Sequence, residues 1–368
     1  MSIAFLVCAC SKIAPAAMPT AESAGTDVSA SPQAPDQAAL PVVTLLDDRT
    51  VSAGDYLLSV TGTHSVELGD SMWQGWYPVG ADTIALTSAG TTSVDVGHWH
   101  LVGGSSTWLA DLDKGVRYLV GNDRALVAAD GPGTRFLLFA LEDSKPVLYL
   151  SDPGGNSIAS LAGTVAPHAA FLQDGTIAVA DGGSVGVWAP ESGSATWSKL
   201  PAGLEDPFVV GVGNNIVVLA GGTSALVDPR TGAMIGDAWE SGLPTAVAAS
   251  PDSREFAVAV GSDLGPYGRV ELRDAVTGKV LAFDPGRELT TVDFIVWPTA
   301  NMVIVMRAST GTGVESIPEV HTIDAFASRT VMQPLVADQL ALVQHDDMLL
   351  AVTLTGRAEL MRMTESRK

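Results

Sequence analysis

Cysteine is nearly absent: the chain holds two in 368 residues, Cys8 and Cys10. A bridge between residues two apart would close a strained loop and staple nothing. A metal pair would need further ligands at close spacing, and the neighbouring sequence supplies none. Long apolar runs are missing too. None reaches the roughly 18 residues with which a helix crosses a bilayer, and the longest candidate, Ile3–Ala9, falls far short. Positive charge is scarce, with 20 Lys and Arg against 41 Asp and Glu and a formal net charge of −21. A surface that negative repels phosphate backbones and anionic headgroups, which argues against nucleic-acid binding and against docking on lipid through basic patches. Helical periodicity is hardly visible. Apolar residues are nonetheless plentiful at 46%, enough for a large core.

The stretch Leu6-Val7-Cys8-Ala9-Cys10 resembles a bacterial lipobox, with an aliphatic residue and a small one just ahead of an acceptor cysteine. The resemblance implies that Cys10 is lipidated and that Met1–Ala9, Cys8 included, is discarded with the signal. Residues 1–10 are therefore read as a lipoprotein signal-like segment. Residues 11–40 are dominated by Ala, Pro, Ser, Thr and small acids and have no aromatic residue. Such a stretch buries too little apolar area to offset its ordering entropy and is expected to be a disordered tether. Two or three acyl chains anchor firmly where one does so only marginally. The expected location is extracytoplasmic, lipid-anchored to the cell membrane, and the folded part is a single domain over residues 41–368.

That part consists of β-rich runs of five to eight residues, among them TIAVAD, NIVVLAG, EFAVAVG and LLAVTL, separated by clusters of Gly, Pro, Asp and Ser. The clearest unit is AVAASPDSREFAVAVGSDLGPYGRVELRDAVTGKVLAF. It reads as a strand ending at Ser250-Pro251-Asp252, a second strand, a third over Arg269–Arg273, a tight turn from Asp274 to Gly278, and a fourth strand. The turn recurs at Asp111–Gly115, Asp152–Gly155, Pro190–Gly193 and Asp228–Gly232, with a degenerate copy at Asp324–Ser328. Gaps between the last positions of these turns are 40, 38, 39, 46 and 50 residues, close to propeller repeats of ~40–50 residues. A last hairpin turns at Thr355-Gly356 and looks one strand short. Val42–Leu46 or Tyr56–Val60 could supply the missing strand and close a ring.

The unit resembles a blade of the WD40-like or YVTN-like bacterial β-propellers, with Arg273 where their tryptophan commonly stands. The resemblance implies an all-β propeller of four-stranded antiparallel blades, and the hairpin count makes it seven-bladed, with six or eight as the neighbouring counts. The weaker alternatives are a pair of β-sandwiches or a curved solenoid.

Motifs carrying chemistry are few. In Gly97-His98-Trp99-His100, strand alternation would put His98 and His100 on one face, able to chelate zinc with remote help from His64 or His168. Ordinary strand histidines are the plainer reading. Asp111-Leu-Asp113 faintly resembles a calcium loop but coincides with the repeated turn, where Asp bonds its own backbone. The cluster Trp73-Gln-Gly-Trp76-Tyr77 reads as a loop or connector. Its rings either plug the ring where it closes or, if exposed, contact a ligand or partner. No Gly-x-Ser-x-Gly elbow or HExxH occurs, and the Gly-rich pieces precede no helix that could receive a phosphate. The expected function is a non-catalytic binding or scaffold propeller for an envelope or secreted protein, without a cofactor. The alternatives are a zinc or small-ligand binder, and a hydrolase or lyase with residues scattered over the blades.

Overall fold

The computed structural model describes residues 37–39, 49–67, 73–80, 82–96, 99–162, 168–205, 207–220, 222–240, 246–261, 268–286, 290–309, 316–331, 339–353 and 357–368. Among these, no helix is long and apolar enough to cross a membrane. The described chain opens with β1 (Gln37–Ala39), β2 (Arg49–Ala53) and the long β3 (Tyr56–Glu67). Blade 1 comprises β4 (Trp73–Pro78), β5 (Thr83–Ser88), β8 (Thr107–Asp111) and β9 (Val116–Gly121), with a hairpin of β6 (Thr92–Val96) and β7 (Trp99–Gly103) inserted between its second and third strands. Blade 2 is β10 (Ala125–Ala129), β11 (Phe136–Glu142), β12 (Lys145–Ser151) and β13 (Ser157–Ala162). Blade 3 is β14 (Ala169–Phe171), β15 (Ile177–Asp181), β16 (Ser184–Ala189) and β17 (Ser194–Lys199). Blade 4 is β18 (Phe208–Val212), β19 (Asn215–Ala220), β20 (Thr223–Val227) and β21 (Met234–Glu240). Blade 5 is β22 (Val247–Ala249), β23 (Glu255–Val260), β24 (Arg269–Asp274) and β25 (Val280–Asp284). Blade 6 is β26 (Thr290–Thr299), β27 (Met302–Ser309), β28 (Ser316–Thr322) and β29 (Arg329–Val331), and blade 7 begins with β30 (Gln339–His345), β31 (Met348–Thr353) and β32 (Arg357–Arg367).

The architecture is the expected seven-bladed propeller of antiparallel blades. Each blade's first strand lies innermost; those of blades 2 to 7 touch in succession, β30 of blade 7 meets β4 of blade 1, and β10 of blade 2 meets β5 of blade 1. The hairpin that looked a strand short is completed as expected from the N-terminal side. β3 pairs with β32 from Tyr56↔Arg367 to Glu67↔Arg357, so the two ends of the domain share one sheet. Val42–Leu46, the other candidate, lies outside the described residues. Among the described strands, two blades carry a fifth, outermost one: β2 adds to β3 in blade 7, and β1 adds to β9 in blade 1. β1 comes from the stretch read as tether.

Why the strands are apolar on both faces is plain from the packing. Successive side chains of a strand point to opposite faces, and in a ring both faces meet a neighbouring blade. On β19, Ile216, Val218 and Ala220 pack toward blade 3, while Val217 and Leu219 pack toward blade 5. On β31, Leu349 and Ala351 face blade 6, and Met348, Leu350 and Val352 face blade 1. Seven apolar clusters fill the seven gaps between blades. Runs such as NIVVLA are thus continuous rather than alternating.

The recurrent turn is built alike in blades 4 and 5. In blade 5, Asp274 Oδ1 accepts from the Val276 and Thr277 amides at 3.0 and 2.6 Å and from the Thr277 hydroxyl at 2.8 Å. The Gly278 amide closes on the Asp274 carbonyl at 2.9 Å. Blade 4 repeats this with Asp228, Arg230, Thr231 and Gly232. Gly278 has φ +69°, and a Cβ there would meet the Ile235 carbonyl of blade 4 at 2.6 Å. The position needs glycine for its dihedral and for the close approach. In blade 6 the degenerate turn is a short 3₁₀ turn, Ile323–Ala325, with Phe326 buried beneath it.

Ring closure by β3 has a measurable consequence. Leu58 on β3 is fully buried among residues of blades 6 and 7. Leu58→Ala is expected to lower unfolding stability by about 2–5 kcal/mol. Val276→Ala, at an exposed turn position, should stay within about 0.5 kcal/mol. Urea unfolding followed by tryptophan fluorescence distinguishes them.

Candidate functional site

The residues singled out from sequence fall in different places. Cys10 and the lipobox lie outside the described residues, as does His98. His100 stands on β7 opposite Asp95, and the facing pair across the turn is Val96 and Trp99. His64, one candidate third ligand, is bonded through Nε2 to Asp113 Oδ1 at 2.9 Å. His168, the other, is half-buried at the start of blade 3, with its ring 4.2 Å from that of Phe208. Asp111 in the faint calcium loop accepts from the Lys114 amide at 3.0 Å and pairs with its ammonium group, as the turn reading expects.

The aromatic cluster is a correction: the stretch is not a connector but β4, the innermost strand of blade 1, with Trp73 opposite Ser88 and Trp76 opposite Leu86. Gly75 and Pro78 look like breakers in sequence, yet Gly75 is absorbed at a register shift and Pro78 stands at the strand's end. Tyr77 is completely buried and presents no surface to a partner. Its hydroxyl meets His345 Nδ1 of blade 7 at 2.7 Å, and His345 Nε2 meets the Gly131 carbonyl of blade 2 at 2.5 Å. A carbonyl only accepts, so Nε2 carries the proton and the phenol donates to Nδ1. This relay ties the last blade to the first two, and Tyr77 belongs to the ring closure. Burial pushes the Tyr77 phenol up and holds His345 below the usual imidazole range, against a smaller opposing pull from Asp346.

Between blades 5 and 6 lies a charged cluster that no linear motif announces. Arg307 on β27 is 1% exposed. Its Nε donates to Glu319 Oε2 of β28 at 2.8 Å, and its other nitrogens reach Asp284 at the end of β25 and the Gly268 carbonyl. Arg329 of β29 adds a contact to Asp284 Oδ1 at 3.4 Å. His321 donates from Nδ1 to the Phe326 carbonyl, 2.9 Å away, since a carbonyl only accepts. Among the described residues, Asp284, Glu319 and His321 form the one group of three side chains close enough to hold a metal ion. Two guanidiniums already neutralise its two carboxylates, so a cation would enter against like charge. The arrangement acts as an ionic clamp between blades.

Blade 5 carries a second such arrangement. Glu271, 4% exposed, is shared by Arg269 at 2.6 Å and Arg273 at 2.5 Å. Arg273, standing where related blades commonly have tryptophan, lies 4.2 Å from the ring of Trp239 in blade 4 and donates to the Gly278 carbonyl at 3.0 Å. It braces the turn against the preceding blade by cation–π and hydrogen-bond contact.

The described surface offers a cleft and a rim. The cleft, of about 520 Å³, opens between blades 2 and 3 over the buried Trp188, with Arg135, Asp174 and Glu191 around it. Its lining contains no histidine, cysteine or serine. Arg135 is bound to Asp130 at 2.9 Å and Asp174 to Arg230 at 2.5 Å, which leaves no activated nucleophile–base pair there. The rim is different. Of eight exposed large apolar side chains among the described residues, Val276, Val280, Leu281 and Phe283 all belong to the outer hairpin of blade 5. Three of the other outer strands, β13, β17 and β21, carry one each (Ile158, Trp197 and Met234), and Val331 is the fourth, on β29.

No protein-family model and no curated protein matches this sequence. Solved structures match the fold over most of its length. The WD40 domain of Pan2 from Neurospora crassa has a TM-score of 0.57 at 12% identity, covering 86% of this chain and 97% of that one. BamB from Moraxella catarrhalis has a TM-score of 0.51 at 11% identity, covering 88% and 99%. A chain of the mitotic checkpoint complex has 0.56 at 11%, covering 92% and 98%. The fold is thus that of the WD40-like β-propellers, and identities this low establish the fold alone.

Two outcomes follow from the buried groups. Arg307→Met strands Asp284 and Glu319 and is expected to cost about 3–5 kcal/mol, whereas adding Asp284→Asn and Glu319→Gln to it recovers much of the loss; urea titration of the two variants measures this. Burial holds His168 down to about 3, while an unfolded histidine titrates near 6.5. Its contribution is complete above pH 6.5 and is lost as pH falls toward 3, at about 1.4 kcal/mol per pH unit. His168→Phe should flatten the slope of stability between pH 6.5 and 5 by that amount.

Proposed function

We propose that the protein is a non-catalytic binding propeller, held outside the cell membrane by a lipid on Cys10, which presents its rim to an envelope or secreted protein. The observation that carries this reading is the contrast between interior and rim. The Arg, Glu, Asp and His side chains best suited to chemistry are spent in buried pairs within and between blades, while exposed apolar side chains concentrate on one outer hairpin. Exposed apolar patches on a solvated protein mark contact sites. The Ala-, Pro- and Ser-rich segment ahead of the domain would give it reach from the membrane. The mitotic checkpoint complex chain is, by its name, part of a protein assembly, and the propeller fold serves such roles among many others.

Mass spectrometry of the mature N-terminal peptide, taken from the membrane fraction of the producing cell, is expected to show acylated Cys10 with Met1–Ala9 removed. Cys10→Ser should move the protein to the soluble fraction. An intact, unmodified N-terminus on soluble protein overturns the anchor. For the binding role, photo-crosslinkers placed around the rim should give a discrete protein adduct in those cells. Metal analysis of the purified protein showing one zinc per chain would instead favour His98 and His100 as a chelate.

A further inference from the structure

We propose that β25, the outer strand of blade 5, is an acceptor edge that takes an extended segment of the partner protein as a fifth strand, and that this segment is apolar at alternate positions with acidic residues at its ends. The proposal rests on the binding reading above and specifies where and how the contact is made.

The fold itself shows that its outer edges accept strands. β1 lies on β9 of blade 1 with Gln37, Ala38 and Ala39 opposite Tyr118, Arg117 and Val116. β2 lies on β3 of blade 7 over five residue pairs. The outer strands β13, β17, β21, β25 and β29 have no outer neighbour among the described strands. An edge strand presents unpaired amides and carbonyls, and proteins ordinarily guard such edges with charge. β25 is not guarded in this way. Val280, Leu281 and Phe283 are 43%, 51% and 47% exposed, and its one ionisable side chain, Asp284, is 1% exposed and held by Arg307 and Arg329. A register shift places Leu281 as an extra residue between Val280 and Ala282 in the pairing with β24. Blade 1 has a shift of the same kind between Thr107 and Trp108, and its outer strand still takes β1. Main-chain pairing to such an edge supplies affinity, and pockets for alternate side chains supply choice.

Charge selects the occupant. In a chain of net charge −21, the accessible charges that blade 5 itself places along this edge include two cations, with Asp274 near the first of them and the exposed Asp237 of blade 4 across the turn. Lys279 is exposed at the start of the strand. Arg269 stands 4.4 Å from the centre of the Phe283 ring with 42% of its side chain exposed. Glu271, the carboxylate beneath it, is shared with Arg273, so two guanidiniums answer one carboxylate and positive charge is left over. Of the acids of β24 and β25, Glu271 and Asp284 are buried, and Asp274 is engaged in capping its own turn. A segment with acidic ends would find a cation near each end of β25 and apolar side chains between.

The test uses the folded domain and a synthetic nine-residue probe of alternating valine and threonine with aspartates at both ends. Two controls carry lysines at the ends or a proline in the middle. Hydrogen exchange is expected to slow at residues 280–284 with the acidic probe. The lysine-ended probe should bind about tenfold more weakly or worse, and the proline probe should give no protection. Leu281→Asp and, independently, Val276→Asp are exposed substitutions that should leave the thermal midpoint unchanged, with Leu281→Asp weakening the probe at least about tenfold. Protection on another outer strand, or none with the acidic probe, overturns the proposal. An adduct formed in the producing cell that persists unchanged in Leu281→Asp also overturns it and leaves the binding reading standing. An absence of adducts from crosslinkers all around the rim of the unsubstituted protein overturns both.

Discussion

The ring is built on a close approach. Where the last hairpins of blades 2, 4 and 5 turn, the glycine lies against the outer strand of the blade before it: Gly155 against the Val120 carbonyl, Gly232 against that of Lys199 and Gly278 against that of Ile235. Any side chain at these points would wedge neighbouring blades apart. The Asp at the other end of the turn folds the loop tight by accepting backbone amides, so the turn is compact before it meets its neighbour. Blade spacing, the apolar filling between blades and the reach of Arg273 onto Trp239 all depend on that contact.

This explains why so much of the fold could be read from the sequence. At Gly155, Gly232 and Gly278 the turn carries two demands at once, a positive φ and a backbone contact, and few residues meet both. The spacing of the turns therefore marks one hairpin per blade directly. The final hairpin's missing strand was legible for a related reason: a four-stranded blade cannot leave an apolar face open, and only the N-terminal segment had strand-like residues to spare. Pattern reading failed in blade 1. Trp73–Pro78 contains Gly and Pro and looks like a connector, but an innermost strand is held by neighbours on both faces, and that context overrides local propensity. The β6–β7 hairpin was equally hidden, since an insertion interrupts the repeat without breaking it.

The ionic clamp between blades 5 and 6 was out of reach of sequence for a different reason. Its members come from β25, β27, β28 and β29, and only the pair Glu319 and His321, two apart on one strand face, leaves a local trace. Charged residues within a strand that is otherwise apolar on both faces are the signal that could have found it. Removing such charges from water is costly, and matched apolar residues often serve stability as well or better. What the clamp adds is geometry. Arg307 satisfies its partners only when blades 5 and 6 stand in one register, and the Tyr77–His345–Gly131 relay imposes the same condition where the ring closes.

A propeller that uses its polar chemistry for such alignment has its rim left for work. At the seam, β2 and β1 cover the outer edges of blades 7 and 1, where the ring is held by pairing between distant parts of the chain and a foreign strand would compete with its closure. Blades 2 to 6 are continuous in sequence, and their closure needs no such protection. The edge with the most exposed apolar surface is that of blade 5, flanked by a blade contact on each side: Arg273 braces it to blade 4 and Arg307 clamps it to blade 6. An edge that accepts a strand must not itself shift when the strand arrives, because every ordering cost is subtracted from affinity. The two arginine arrangements fix the most apolar edge at both flanks, and so the buried charge and the exposed apolar strand belong to one design.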